Sequence, residues 1–306
     1  MGRVRALRSQ TGIEISDDLL DSWVIHMEAA GSAPRTIRIY LTQVHAWKLW
    51  CRDTDQEPVL TRDSAVAFLA AERARGMAAN TVKTRFRGLH VLANWLNDEG
   101  LTPGNLLRGV KVPNAVTDPP AVLRDDELTA LLKACSGRRF IDRRDAAIAR
   151  ILIDTGMRAS ECVGIAIDDI SLRNKVVTVT GKGGRTRTIP FGGKTAVALD
   201  RYLRERRSHK YADRSDLWLS ERGVLHYDGL AYAMEQRALQ AGIEGFHLHR
   251  LRHTLAHRWM AAGGSELGLQ DIAGWSSSAM IARYGASARA ERAAAEARRL
   301  NLNEEL

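Results

Sequence analysis

Three of the seven prolines, Pro113, Pro119 and Pro120, fall within eight residues of one another. Proline fixes φ and carries no N–H, so a helix or central strand cannot run through such a stretch. Residues 113–121 therefore predict a stiff linker. It divides the 306 residues into 1–112 and 122–306, and that length accommodates two domains.

The first part reads as helices. Ser16, followed by Asp17 and Asp18, opens one that stops at Gly31. A second starts at Ser32-Ala33-Pro34, with Ile37, Tyr40, Leu41, Val44, Trp47 and Leu49 at helical spacing. Thr61 caps a third that ends at Gly76, and a fourth runs from Asn80 to Gly100. Arg35, Arg38, Lys83, Arg85 and Arg87 fall in the first turns of the second and fourth helices, where cations oppose the helix dipole. That placement points to phosphate contact, set against the plainer reading of a solvated charged face.

The second part is mixed. Helices are expected at 125–136, 142–156, 194–207, 228–241, 250–262, 266–273, 277–284 and 288–300. Lys175 to Thr180 and Arg185 to Pro190 are strand-like, joined by Gly181-Lys182-Gly183-Gly184 as a hairpin turn. The fold class expected is mainly α with a small β-sheet.

Lys and Arg number 45 against 36 acids, a net charge of +9. Such a surface favours a polyanionic partner, because counterion release drives phosphate binding. Both parts are basic: 1–117 carries 15 cations and 12 anions, the remainder 30 and 24. The cysteines Cys51, Cys135 and Cys162 lie far apart in apolar helical patterns, which suits core positions in a reduced, cytoplasmic compartment. No apolar run approaches the roughly 20 residues a membrane span needs, and the basic N-terminus lacks the apolar run of a secretory signal.

The last sixty residues carry the chemistry. His249 and Arg252 sit three apart; Trp275 follows 23 residues after Arg252, and Tyr284 nine after that. Upstream stand Arg158, Glu161 and Lys182. Breaking a phosphodiester without metal needs a nucleophile, cations on the non-bridging oxygens, a base and an acid. Tyr284 fits the nucleophile, since a phenolate leaves again more easily than an alkoxide. Arg158 and Arg252 fit the clamp, because a planar guanidinium matches phosphate. Glu161 would orient Arg158. His249 fits the base or proton shuttle, Trp275 an N–H donor that cannot exchange protons, and Lys182 the acid. Read singly, each has a plainer use: Tyr284 could pack, Lys182 could be a solvated turn lysine, and Arg158 could form a surface pair with Glu161. His249, His253 and His257, four apart, could also present a metal site. Arg250, Arg252 and Arg258 would repel the ion, so no metal or cofactor is expected and His253 is read as packing or supporting.

Order and local context of Arg158, Lys182, His249, Arg252, Trp275 and Tyr284 resemble the active site of the tyrosine recombinases, the phage integrase family. The resemblance runs from about residue 14 to residue 290. It implies an N-terminal, all-helical core-binding (SAM-like) domain and a C-terminal α+β catalytic domain with a tail helix. It implies strand cleavage and rejoining through a 3′-phosphotyrosyl link, with four protomers on double-stranded DNA and a Holliday junction between exchanges. Trp275 stands where most members have His, as in Cre-like members. Some 13 residues precede the first helix, too few for an arm-binding module, so the short two-domain members are the nearer likeness. The tail from Arg289 is expected to dock on a neighbouring protomer or to fold back on its own domain. A DNA-bending or directionality factor is a further possible partner. The leading expectation is a phage or prophage integrase. The alternatives are a Xer-type dimer resolvase, a relaxing enzyme of topoisomerase type, and a DNA-binding protein without catalysis.

Overall fold

The computed structural model describes residues 12–112, 121–181, 184–275, 294, 297 and 298. It is mostly helical with small sheets, and it divides into two compact units, Met1–Val116 and Thr117–Leu306. The expected linker falls almost wholly outside the described residues, as do Lys182, Tyr284 and the helix expected at 277–284. Among the described residues no helix is long and apolar enough to cross a membrane.

Among its described residues the first unit holds four α-helices: α1 (Asp17–Ala29), α2 (Pro34–Asp53), α3 (Arg62–Ala74) and α4 (Ala79–Asp98). The starts of α1, α2 and α3 each have a local cause. The Ser16 hydroxyl accepts the Leu19 N–H at 3.2 Å, and Pro34 supplies the first residue of α2, where a missing N–H costs nothing. Thr61 and Ser64 cap α3 reciprocally. Two short strands, β1 (Ile13–Glu14) and β2 (Val59–Leu60), pair antiparallel and tie the entry of α1 to the entry of α3. Two residues carry too little alternation for sequence patterning to find them. Trp23, Trp47, Phe68, Leu89, Leu92 and Leu96 fill the core.

Arg85 departs from the expected cationic face. It is half-buried, donating from Nε to Glu72 at 3.2 Å and from NH1 to Gln43 at 2.8 Å. Glu72 is itself buried, so this pair pins α2, α3 and α4 together. Arg35, Arg38, Lys83 and Arg87 are exposed, with Arg87 in the third turn of α4 rather than the first.

The second unit is built round α6 (Phe140–Thr155), which packs against α5 (Asp125–Ala134), α8 (Gly193–Arg206), α9 (Tyr227–Gln240) and α10 (Leu248–Ala261). The sheet has the order β3 (Ile170–Ser171), β4 (Val176–Thr180), β5 (Thr186–Pro190), all antiparallel. Val177, Val179 and Ile189 point into the core, while Thr178 and Thr188 face each other outside, their hydroxyls 3.3 Å apart. A small hairpin, β6 (Leu219–Ser220) and β7 (Gly223–Val224), precedes α9. Among the described residues the unit also holds the short α-helices α7 (Ala159–Val163) and α11 (Glu266–Ala273). A buried ionic cluster joins α6 to α9: Arg237 donates to Asp142 at 2.8 Å and Asp145 at 2.9 Å, and Arg139 and Arg144 complete the carboxylates. The three cysteines are buried and unpaired with one another.

Candidate active site

Helix α6 ends at Gly156, whose φ of +56° is left-handed and easily reached only without a Cβ. The chain turns there and delivers Arg158 to the N-cap of α7. The Glu161 carboxylate accepts the Arg158 backbone N–H at 2.8 Å and its NH1 at 2.8 Å. A five-residue helix would be marginal alone; the Glu161 carboxylate, accepting from both the backbone and the side chain of Arg158, fixes its start and aims the guanidinium. On α10, His249 and Arg252 stand three apart and so share a face.

The arginines meet at the end of α11. A helix leaves its last carbonyls unpaired, and they carry the negative end of the dipole. Here three successive carbonyls each accept from a different arginine. Arg187 Nε donates to Ile272 O at 2.9 Å, Arg252 NH2 to Ala273 O at 2.7 Å and Arg158 NH2 to Gly274 O at 3.2 Å. Arg252 also donates to Gly156 O at 2.8 Å and lies 5.1 Å from the Trp275 ring centroid. Strand, two helix starts and a helix end are thus gathered at one point. Gly274, at φ +63°, ends α11 and sets Trp275 into a small apolar cluster with Ala256, Met260, Leu269 and Ala273.

Arg187 is the residue sequence reasoning missed. It lies on β5 between the outward Thr186 and Thr188, so alternation puts it on the face of the buried Ile189, where the sequence by itself shows a cation without a partner. It instead forks onto Glu161, NH1 to Oε1 at 3.0 Å and NH2 to Oε2 at 2.7 Å. Glu161 therefore serves two arginines at once. Burial alone would raise its carboxyl, but the hydrogen bonds from Arg187 and Arg158 outweigh burial and hold it at about 2. The spacing of Arg158 to Glu161 was visible in the sequence; the partner from β5 was not, since only the sheet's position reveals it.

His249 reaches solvent at one edge, and its ring meets His253 edge to face with centroids 4.4 Å apart. Crowding by surrounding atoms, then the charges of Arg252, His247 and Arg158, push its pKa below the ordinary imidazole value. It is neutral at neutral pH and so able to accept a proton. Of the expected set, the structure brings together Arg158, Glu161, His249, Arg252 and Trp275. Lys182 belongs to the β4–β5 turn and Tyr284 to the segment after α11, both outside the described residues.

The family model described as the Phage integrase family matches residues 121–291. The tyrosine recombinase XerC of Mycobacterium tuberculosis is 32% identical over 263 residues, covering 83% of this chain and 88% of the relative. Among solved structures, the XerH site-specific recombinase bound to a palindromic difH substrate aligns over 92% of this chain and 84% of its own, with a TM-score of 0.74 at 19% identity. A lambda integrase dimer bound to a COC′ core site aligns over 86% of this chain and 96% of its own, TM-score 0.68 at 16% identity. The two structures share the fold. The profile match over more than half the chain, with the relative at 32% identity, means that the chain belongs to the phage integrase family, the tyrosine-type site-specific DNA recombinases.

Proposed function

We propose that this chain cuts double-stranded DNA one strand at a time and rejoins it through a 3′-phosphotyrosyl link on Tyr284. The phenol oxygen bonds to phosphorus and the bond from phosphorus to the 5′ oxygen breaks. His249 takes the phenol proton, and Lys182 gives one to the leaving oxygen. Arg158 and Arg252 neutralise the non-bridging oxygens, and Trp275 donates its indole N–H to one of them. The bond energy stays in the phosphotyrosine, so no nucleotide or metal is consumed.

One observation carries this reading: two guanidiniums and an indole held against the same backbone turn, with a neutral imidazole one helical turn away. The exposed Arg35, Arg38, Lys83 and Arg87 are read as phosphate contacts of the first unit. The tail after Arg289 is read as the contact between protomers of a tetramer on DNA.

Phage or prophage integration is the leading use, in keeping with the match to the Phage integrase family model. The likeness to XerC favours the second reading, dimer resolution. Tyr284→Phe should bind target DNA and yield no covalent complex on a suicide substrate. Covalent capture by that variant would show that another residue attacks. Sequencing the DNA joined to the wild-type enzyme separates the two uses: recombined partners of unlike origin mean integration, identical chromosomal or plasmid sites mean resolution.

A further inference from the structure

A second charged feature lies away from the arginine cluster, between α6 and α8. A cavity of about 410 Å³ opens there, and Arg143, Arg150, Lys194 and Arg201 line it with no carboxylate among the lining residues. Its floor is apolar, with Leu132 and the half-exposed Val197. Among the described residues none of the four cations is in an ion pair, whereas nine other arginines of this unit are. Helix stability does not account for them. Lys194 stands in the first turn of α8 and Arg143 near the start of α6, where positive charge opposes the helix dipole.

The spacing is regular. Arg143 and Arg150 are seven residues apart on α6, as are Lys194 and Arg201 on α8. Seven residues are two turns, about 10.5 Å. Two cation pairs of equal length thus flank an apolar floor. A small phosphate ester would meet no aromatic side chain or carboxylate to read a base or ribose. A duplex presents a convex, polar backbone that leaves the recessed floor empty. An amphipathic helix supplies both parts, with carboxylates two turns apart and an aliphatic side chain between them. We propose that the α6–α8 groove is a docking site for an acidic amphipathic helix of a protein partner.

The test uses the full chain and a fluorescein-labelled helical peptide with glutamates seven apart on one face and leucines between them, followed by fluorescence anisotropy. Lys194→Glu with Arg201→Glu changes two exposed side chains, and circular dichroism checks that the fold is kept. Lys194→Gln with Arg201→Gln serves as the milder pair. The wild type should bind the peptide, and the double Glu variant should bind roughly tenfold more weakly. A peptide with serine for leucine should also bind more weakly, and affinity for non-specific duplex DNA should be unchanged. Equal peptide binding by wild type and variant overturns the proposal. So does indifference to the leucines, which would mean unspecific charge attraction. Loss of duplex affinity in the variant, with peptide binding intact, would reassign the groove to DNA. None of these readouts depends on cleavage, so their failure is distinct from failure of the recombinase reading.

Discussion

Glu161 is the residue on which the arginine cluster turns. It is buried and shares its two oxygens between Arg158 and Arg187. Removing one partner of such a group leaves charge stranded away from water, a loss of about 3–5 kcal/mol. Arg187→Ala should therefore lower the urea midpoint and let Arg158 swing from its carbonyl. We expect cleavage to slow by about 10²-fold while DNA affinity stays near wild type. Arg187→Lys keeps the charge without the fork, and should retain stability better than activity. Unchanged cleavage in both variants would reduce Arg187 to a surface cation. Acid titration gives an independent reading. The folded carboxyl of Glu161 lies at about 2 against an ordinary 4.5, so its stabilisation is fully present above the ordinary value and lost as pH falls towards the folded one. Between about pH 4.5 and pH 2 the wild type should lose stability more steeply than Glu161→Gln. Parallel curves of unfolding free energy against pH would contradict the pairing.

At the scale of elements, the end of α11 does what a loop could not. Its last carbonyls are orphaned by helix geometry, and three arginines from β5, α7 and α10 satisfy them. The arrangement requires α11 to stop at Gly274. A Cβ there would meet a left-handed φ of +63° and lie 2.8 Å from the Arg187 guanidinium carbon. Gly274→Ala should therefore push Arg187 aside and tilt the chain towards Trp275. We expect a loss of about 1–3 kcal/mol in stability and slower suicide-substrate cleavage, with target affinity preserved; wild-type cleavage would show that the turn is not a constraint on the site. These elements also mark what the sequence could reveal. Ser16, Pro34 and Thr61 announce helix starts by their own chemistry, and the Thr-rich strands round Gly181 announce a hairpin. Glu161 three residues after Arg158 announces a capping pair. The two-residue strands and the five-residue α7 have no period to detect. Arg187 shares the face of the buried Ile189, but nothing local says that α7 and α11 lie over that side of the sheet to receive its charge. Arg85 misleads for the same reason, its partners being 13 and 42 residues away.

For the whole molecule, two separate cores imply two contributions to DNA binding. The buried cluster of Trp23, Trp47 and Leu92 contains only residues of the first unit, and that of Ile148, Trp218 and Met234 only residues of the second. Each is large enough to propose that 1–112 and 122–306 fold when made apart. Charge is shared as well, +3 on residues 1–117 and +6 on the rest. If both units touch the same duplex, the phosphates they neutralise add. The logarithm of affinity falls with the logarithm of salt by about 0.9 per phosphate on B-form DNA. The intact chain should then show a steeper salt slope than 122–306 alone. Replacing Arg35, Arg38, Lys83 and Arg87 one at a time with Gln should each remove up to about 0.9 from the slope. Arg85→Gln should act differently, lowering the stability of the first unit through Glu72 and leaving the slope nearly unchanged while the unit stays folded. A catalytic unit whose slope equals that of the intact chain would mean that the first unit contacts no phosphate. In that case the four exposed cations would be a solvated face, and the DNA grip would have to be sought wholly within 122–306.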